Sequence, residues 1–231
     1  MKRAPAVLAV LTALAASSLN AQEMDRWLSR SAEARAYAAI EGDLRAIAAG
    51  AVAAGVPERL LVDRLVEGSR KKAGADRMLE ALKAEAARLA FIAKTLDADW
   101  PDAGSKRRES AMAEVSIALR AGVIGEEWSA ASRCVRDAKG PLDRAIQIVD
   151  MLAAVDPARL IGPEDRLRLV AAIAASRLRT GSIDSLVSVF SRGRARGLSP
   201  ASVAGAVVEA LSAGGNLASI DRVLEGYRRD R

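Results

Sequence analysis

From Glu23 onward, apolar residues recur three and four positions apart, and no stretch alternates with the period of a strand. Leu60, Leu61, Leu65 and Val66 form one stripe. Met78, Leu79, Leu82, Leu89, Ile92 and Leu96 form a second. Ile146, Val149, Met151 and Leu152 form a third, and Leu167, Val170, Ile173 and Leu178 a fourth. This spacing collects side chains on one face of an α-helix, so the pattern predicts an all-α chain. Gly55 marks a helix end and Pro57 the next start. Gly74 follows Lys71-Lys72, and Gly122, Gly140-Pro141, Gly181-Ser182 and Gly197 to Pro200 repeat the punctuation. Glycine past a helix end and proline at a helix start is the expected asymmetry.

Two distant segments match. Val62-Asp63-Arg64-Leu65-Val66-Glu67-Gly68-Ser69-Arg70-Lys71 reappears as Ile220-Asp221-Arg222-Val223-Leu224-Glu225-Gly226-Tyr227-Arg228-Arg229, with Asp, Arg, Glu, Gly and Arg in place. Such self-similarity signals repeated helical units. The chain reads as degenerate repeats of helix, Gly turn, helix, basic Gly turn and helix, stacked as a short solenoid or an irregular bundle. The repeat landmarks are Gly55, Gly68, Gly122, Gly181, Gly193 and Gly226. Breaks at Asp97 to Lys106 and at Asp156 to Gly162 delimit an N-terminal cap helix with a first unit (22–98), a second unit (105–155) and a third unit with a terminal half-unit (161–231). The three are expected to form one continuous domain.

The N-terminus changes the picture by supplying an address. Lys2 and Arg3 precede the uncharged, mostly apolar run Ala4 to Leu19, and Ala21 offers a small residue before Gln22. The run is shorter than the roughly 20 residues a spanning helix needs. Residues 1–21 therefore read as a cleaved secretory signal, and the protein as exported, periplasmic or secreted from a bacterium. The remainder carries 33 basic and 29 acidic residues, a net charge of +4. That bias is too small to argue for nucleic acid. The one cysteine, Cys134, permits no internal disulfide, and the pattern Trp128, Ala131, Cys134, Val135, Ile146 marks it as a small core residue, the alternative being a thiol that pairs between chains. Only 3 % of residues are aromatic although 51 % are hydrophobic, so the core is rich in alanine, the strongest helix former.

Chemistry is sparse. No histidine exists, which removes the commonest acid–base group and metal ligand. No catalytic residue, metal site or cofactor is assigned. Asp97, Asp99 and Asp102 lack the glycine and glutamate that complete a calcium loop. Glu109-Ser110 resembles the Glu-Ser pair of exported lysozyme-like transglycosylases, but the Gly-Leu-Met-Gln segment of that family is missing. A glutamate-dependent enzyme thus ranks third among the functions. Basic residues gather at Ser69 to Lys72, Arg133 to Lys139, Arg192 to Arg196 and Arg228-Arg229. Helix C-termini favour cations, which explains them without function. Alternatively Arg70, Lys71, Lys72, Arg194, Arg196, Arg228 and Arg229 form an edge that binds anionic envelope surface. Glu67 is expected to pair with Arg64 or Lys71 in its own helix. Trp128 is expected in the core, and Trp100 as a plug between units. The leading expectation is an exported protein-binding or scaffolding module whose partner is another envelope protein.

Overall fold

The structure, a computed structural model, describes residues 22–227. The expected signal (1–21) and Arg228 and Arg229 lie outside the described residues. The chain is all-α, 78 % helical, with no strand among the described residues. Eleven α-helices follow in order: α1 (Gln22–Arg30), α2 (Glu41–Ala53), α3 (Glu58–Arg70), α4 (Ala75–Asp99), α5 (Ser105–Arg120), α6 (Gly125–Asp137), α7 (Leu142–Val155), α8 (Pro163–Ala175), α9 (Ser185–Ala195), α10 (Pro200–Ser212) and α11 (Leu217–Gly226). The expected single cap helix is broken after Arg30. A 3-10 helix, Glu33–Ile40, follows the break, and the Ser31 hydroxyl donates to Glu33 there. The chain divides between Lys94 and Thr95, within α4, into two compact units.

In the first unit α1 packs on α2 and α3, and the 3-10 helix packs on α1 and α2. Trp27 and Tyr37 stand 6.1 Å apart between ring centres, and the Tyr37 hydroxyl donates to the Ala73 carbonyl at 2.9 Å. In the second unit the helices form two layers. One runs α5, α7, α9, α11 and the other α6, α8, α10, each helix packing on the next of its own layer. The layers meet through α6–α7, α7–α8, α9–α10 and α10–α11. This alternation is how stacked helix pairs bury a continuous core, with one face of each helix turned inward.

Six connections share one form. Residues 54–57, 71–74, 121–124, 138–141, 196–199 and 213–216 each join two helices in four residues. The second residue of each has positive φ: Gly55, Lys72, Gly122, Lys139, Gly197 and Gly214. Its N–H bonds to the carbonyl three residues back, and the next N–H to the carbonyl five residues back, as in Gly55 to Val52 (3.0 Å) and Val56 to Ala51 (3.0 Å). This is a left-handed helix cap that satisfies orphan carbonyls with backbone alone. The residue six places after each left-handed position is at most 1 % exposed: Leu61, Met78, Trp128, Ala145, Val203 and Ile220. The cap fixes helix direction, and the register then fixes which residue enters the core.

This register differs from the identity match that suggested repeats. Leu61 and Ile220 are equivalent within it, whereas the match pairs Val62 with Ile220, one residue out of phase. Leu65 and Leu224 are fully buried, while Val62, Val66 and Val223 are only half-buried. Matching identities at Asp63/Asp221 and Glu67/Glu225 therefore do not superpose the core faces. Gly68 and Gly193 do share an environment. A Cβ on Gly68 would meet Met78 at 2.6 Å, and one on Gly193 would overlap Val203. Gly226 has nothing within 4 Å. Gly181 sits in a short 3-10 turn, Thr180–Ser182, rather than in a left-handed helix cap.

Candidate binding surfaces

Four connections lack the backbone cap: a 3-10 helix fills the one between α1 and α2, and arginine side chains close the other three. Between α7 and α8 (156–162), Arg166 is wholly buried. Its Nε and Nη2 donate to the two Glu127 oxygens at 2.6 and 3.0 Å, and its Nη1 donates to Asp156 Oδ2 at 2.7 Å. Asp156 also accepts the Leu160 and Ile161 N–H groups at 2.6 and 3.1 Å, and Glu127 accepts the Ile124 N–H at 3.0 Å. Arg159 bonds the Gly122 carbonyl at 2.7 Å and stands 3.4 Å from Glu127. Burial opposes the Glu127 charge, but the Arg166 bonds, the Ile124 N–H and the charges of Arg166 and Arg159 outweigh it and lower the pKa. Burial likewise works against the Arg166 cation, and Glu127 and Asp156 more than offset it. A two-sided guanidinium fork between carboxylates is the geometry arginine suits best.

Between α8 and α9 (176–184), buried Arg144 donates to the carbonyls of Leu178 (2.5 Å), Ile173 (2.5 Å) and Ser176 (2.9 Å). Burial lowers its pKa. Between α4 and α5 (100–104), Arg108 pairs with Asp97 and donates to the Trp100 carbonyl at 3.3 Å. The Trp100 indole donates to Ser132 at 2.9 Å, and Ser132 donates to Asp99 at 2.6 Å. Arg136 completes the set, 2.8 Å from Asp99. Trp100 is thus tied down rather than exposed. Asp97 and Asp99 are ion-pair partners, and no group of acids, Cys or His able to hold a metal occurs among the described residues.

Cys134 is half-buried, not a core residue. The inward face of α6 is Trp128, Ala131, Ser132 and Val135, so Ser132 holds the place expected for a core residue and Cys134 flanks the stripe. Trp128 is fully buried, as expected.

The basic turns are largely engaged within their own units or simply exposed. Lys71 and Arg64 each stand 2.6 Å from Glu67, whose pKa falls to about 2 through the bonds from Lys71 and then Arg64. Arg192 bonds Asp221 at 2.8 Å. Arg70, Lys71 and Lys72 are exposed in the first unit, and Arg194 and Arg196 in the second. Glu109 lies in the first turns of α5, and Ser110 donates to Glu114 at 2.6 Å.

A different surface stands out on the α5–α7–α9 layer. Asp150 on α7 reaches solvent yet is recessed among its neighbours. That crowding, then the charges of Glu114 on α5 and Asp184 ahead of α9, push its pKa up to about 6. One turn before it, the Gln147 side-chain oxygen is buried with no partner among the described residues. Ile117, one turn after Glu114, is 57 % exposed. Neither the acids nor the isoleucine announce themselves in the sequence, because only the layering of α5, α7 and α9 groups them. Compared with protein-family models, curated proteins and solved structures, the chain finds no match.

Proposed function

We propose that the chain is an exported scaffold, cut between Ala21 and Gln22, that binds another envelope protein through the α5–α7–α9 layer of its second unit. The observation that supports this most is the exposed Ile117 one turn after Glu114, on the layer where the charges of Glu114 and Asp184 bear on Asp150 and where Arg107, 2.9 Å from Glu114, offsets only one of the three acids. An exposed apolar side chain next to crowded like charges is stabilised when a partner covers the one and neutralises the other. The partner chemistry that fits is a basic segment with an apolar anchor. The anionic-surface alternative draws less support, because Lys71 already pairs with Glu67 and cations at helix C-termini are favoured without any ligand. Cross-linking of the mature protein in its own envelope, followed by recapture of the partner with purified protein, tests the reading. Ile117→Glu and the pair Glu114→Lys with Asp150→Lys are expected to lose that partner at unchanged helix content. Retention by both variants would refute the surface, and an uncut species recovered in the cytoplasm would refute export.

A further inference from the structure

Glu58 is a carboxylate in an unusual place. It is the first residue of α3, yet only 5 % of it is exposed. One oxygen, Oε2, accepts the Glu23 backbone N–H at 2.8 Å, at the first turn of α1. The other oxygen has no partner among the described residues. Glu58 also lines a pocket of about 400 Å³ between α1, α2 and α3, with Met24, Ala49, Val52 and Ala53 as its apolar wall and Asp25 and Arg45 beside them. Arg45 does not serve Glu58. It stands 2.7 Å from Asp25 and 2.6 Å from Glu41.

We infer that Glu58 is the receptor for the α-ammonium of Gln22, created when residues 1–21 are removed. The inference rests on the proposed cut. Helix α1 begins at Gln22, and consecutive backbone nitrogens in a helical turn lie about 3 Å apart. An amine at Gln22 therefore stands within reach of the carboxylate that holds Glu23. In the uncut chain that nitrogen is a neutral amide with one N–H. Hydrolysis of the Ala21–Gln22 peptide bond gives Ala21 a carboxylate and Gln22 an ammonium with three donors. The apolar wall strengthens the new pair, because charges attract more strongly away from water. Helix N-termini otherwise disfavour cations, so the ammonium needs a carboxylate at this end of α1, and Glu58 supplies it. Cleavage becomes the step that locks α1 onto α3.

A chain made to start at Gln22, its N-acetylated form, and both with Glu58→Gln form the test. The free amine is expected to raise the unfolding midpoint of the first unit over the acetylated form, and Glu58→Gln to erase that difference. The α-amine of the unacetylated chain is expected to titrate above the ordinary value of about 8 and to return to it in Glu58→Gln. Cyclisation of Gln22, in which the free amine attacks the side-chain amide and expels ammonia, is expected to run faster in Glu58→Gln. An acetylation effect of equal size with and without Glu58, or an amine that titrates normally beside Glu58, would overturn the inference. Failure of the export reading would appear only as a different N-terminus in protein from the exporting cell, and would leave the result with the defined chain unchanged.

Discussion

The turn after α5 and the connection after α7 solve the same problem by opposite means. At 121–124 the backbone closes itself. Gly122 is left-handed, its N–H bonds Leu119 and the Val123 N–H bonds Ala118 at 3.2 Å, and the next helix starts at once. At 156–162 the backbone turns without that cap. Asp156 must accept two N–H groups, and a buried arginine must neutralise it together with Glu127. The first device depends on one conformation and almost no side chain. The second depends on three charged side chains with no exposed surface to speak of. The chain thus closes its regular turns with backbone geometry and relies on buried charge only where the turn is irregular.

The largest expected effect breaks the second device. Arg166→Ala leaves Glu127 and Asp156 buried without their cation, and an uncompensated buried charge costs about 3–5 kcal/mol. Urea unfolding of the full chain should show the second unit melting early while the first unit keeps its midpoint. A loss under about 1 kcal/mol would show that water reaches the carboxylates and that the connection does not depend on the guanidinium.

The next prediction concerns the close helix approach that follows a regular turn. Gly193→Ala puts a methyl into Val203, whose branched side chain has little freedom to move within α10. Overpacking of that kind costs about 1–3 kcal/mol, less roughly 1 kcal/mol from the better helix former. Gly226→Ala meets nothing within 4 Å and should be neutral or stabilising by a few tenths of a kcal/mol. Equal effects at the two positions, read from thermal midpoints, would contradict the difference in their environments.

Acid separates two kinds of carboxylate in the second unit. Asp150 has a folded pKa near 6, above its ordinary value of 3.8. Between those values the folded state holds more protons than the unfolded state, so stability should rise as pH falls from 7 toward 4. Its carboxyl is solvent-accessible, so the gain is on the order of 1 kcal/mol rather than the full shift. Glu127 behaves the other way. Its pKa is lowered, so its contribution is complete above the ordinary 4.5 and is lost as pH falls further. A stability maximum between pH 4 and 6 is expected, and Asp150→Asn should flatten the acid-side rise while leaving the fall. A profile unchanged by Asp150→Asn would remove Asp150 from the account.

Much of the fold was legible and most of the candidate surface was not, for physical reasons visible at particular residues. Helical periodicity and the glycines at 55, 122 and 197 revealed helices and their ends, because both depend on short-range geometry. The identity match between 62–71 and 220–229 runs one residue out of phase with the core register, since the identities at Asp63 and Glu67 lie off the buried face, while the stripe that includes Leu61 and Leu65 was read correctly. Arg166 and Arg144 were missed because arginine in a helix ordinarily faces water. Only the partners at Glu127, Asp156 and the Ser176 to Leu178 carbonyls, 10 to 39 residues away, account for their burial. Glu114, Asp150 and Asp184 come together only through the layering of α5, α7 and α9. Chain spacing does not carry that information.

The smallest expected effect lies within the regular turns themselves. Four of the six left-handed positions are glycine, but Lys72 and Lys139 adopt φ of 54° and 56°. A side chain in that region costs about 1 kcal/mol or more, because Cβ crowds the following carbonyl oxygen. Glycine removes the crowding but gives the unfolded chain more freedom, which returns roughly half of the gain. Lysine also places a cation at the negative end of its helix, worth about 0.3–1 kcal/mol at low salt. The balance predicts that Lys139→Gly stabilises by about 0.5 kcal/mol in high salt, where the cation is screened, and by less in low salt. Lys139→Ala, which keeps the Cβ and removes the charge, should destabilise at low salt and become neutral at high salt. Midpoints of both variants at two ionic strengths decide the point. If Lys139→Gly gives no gain even in high salt, the backbone cap is not strained at lysine, and its lysines cost the turn nothing.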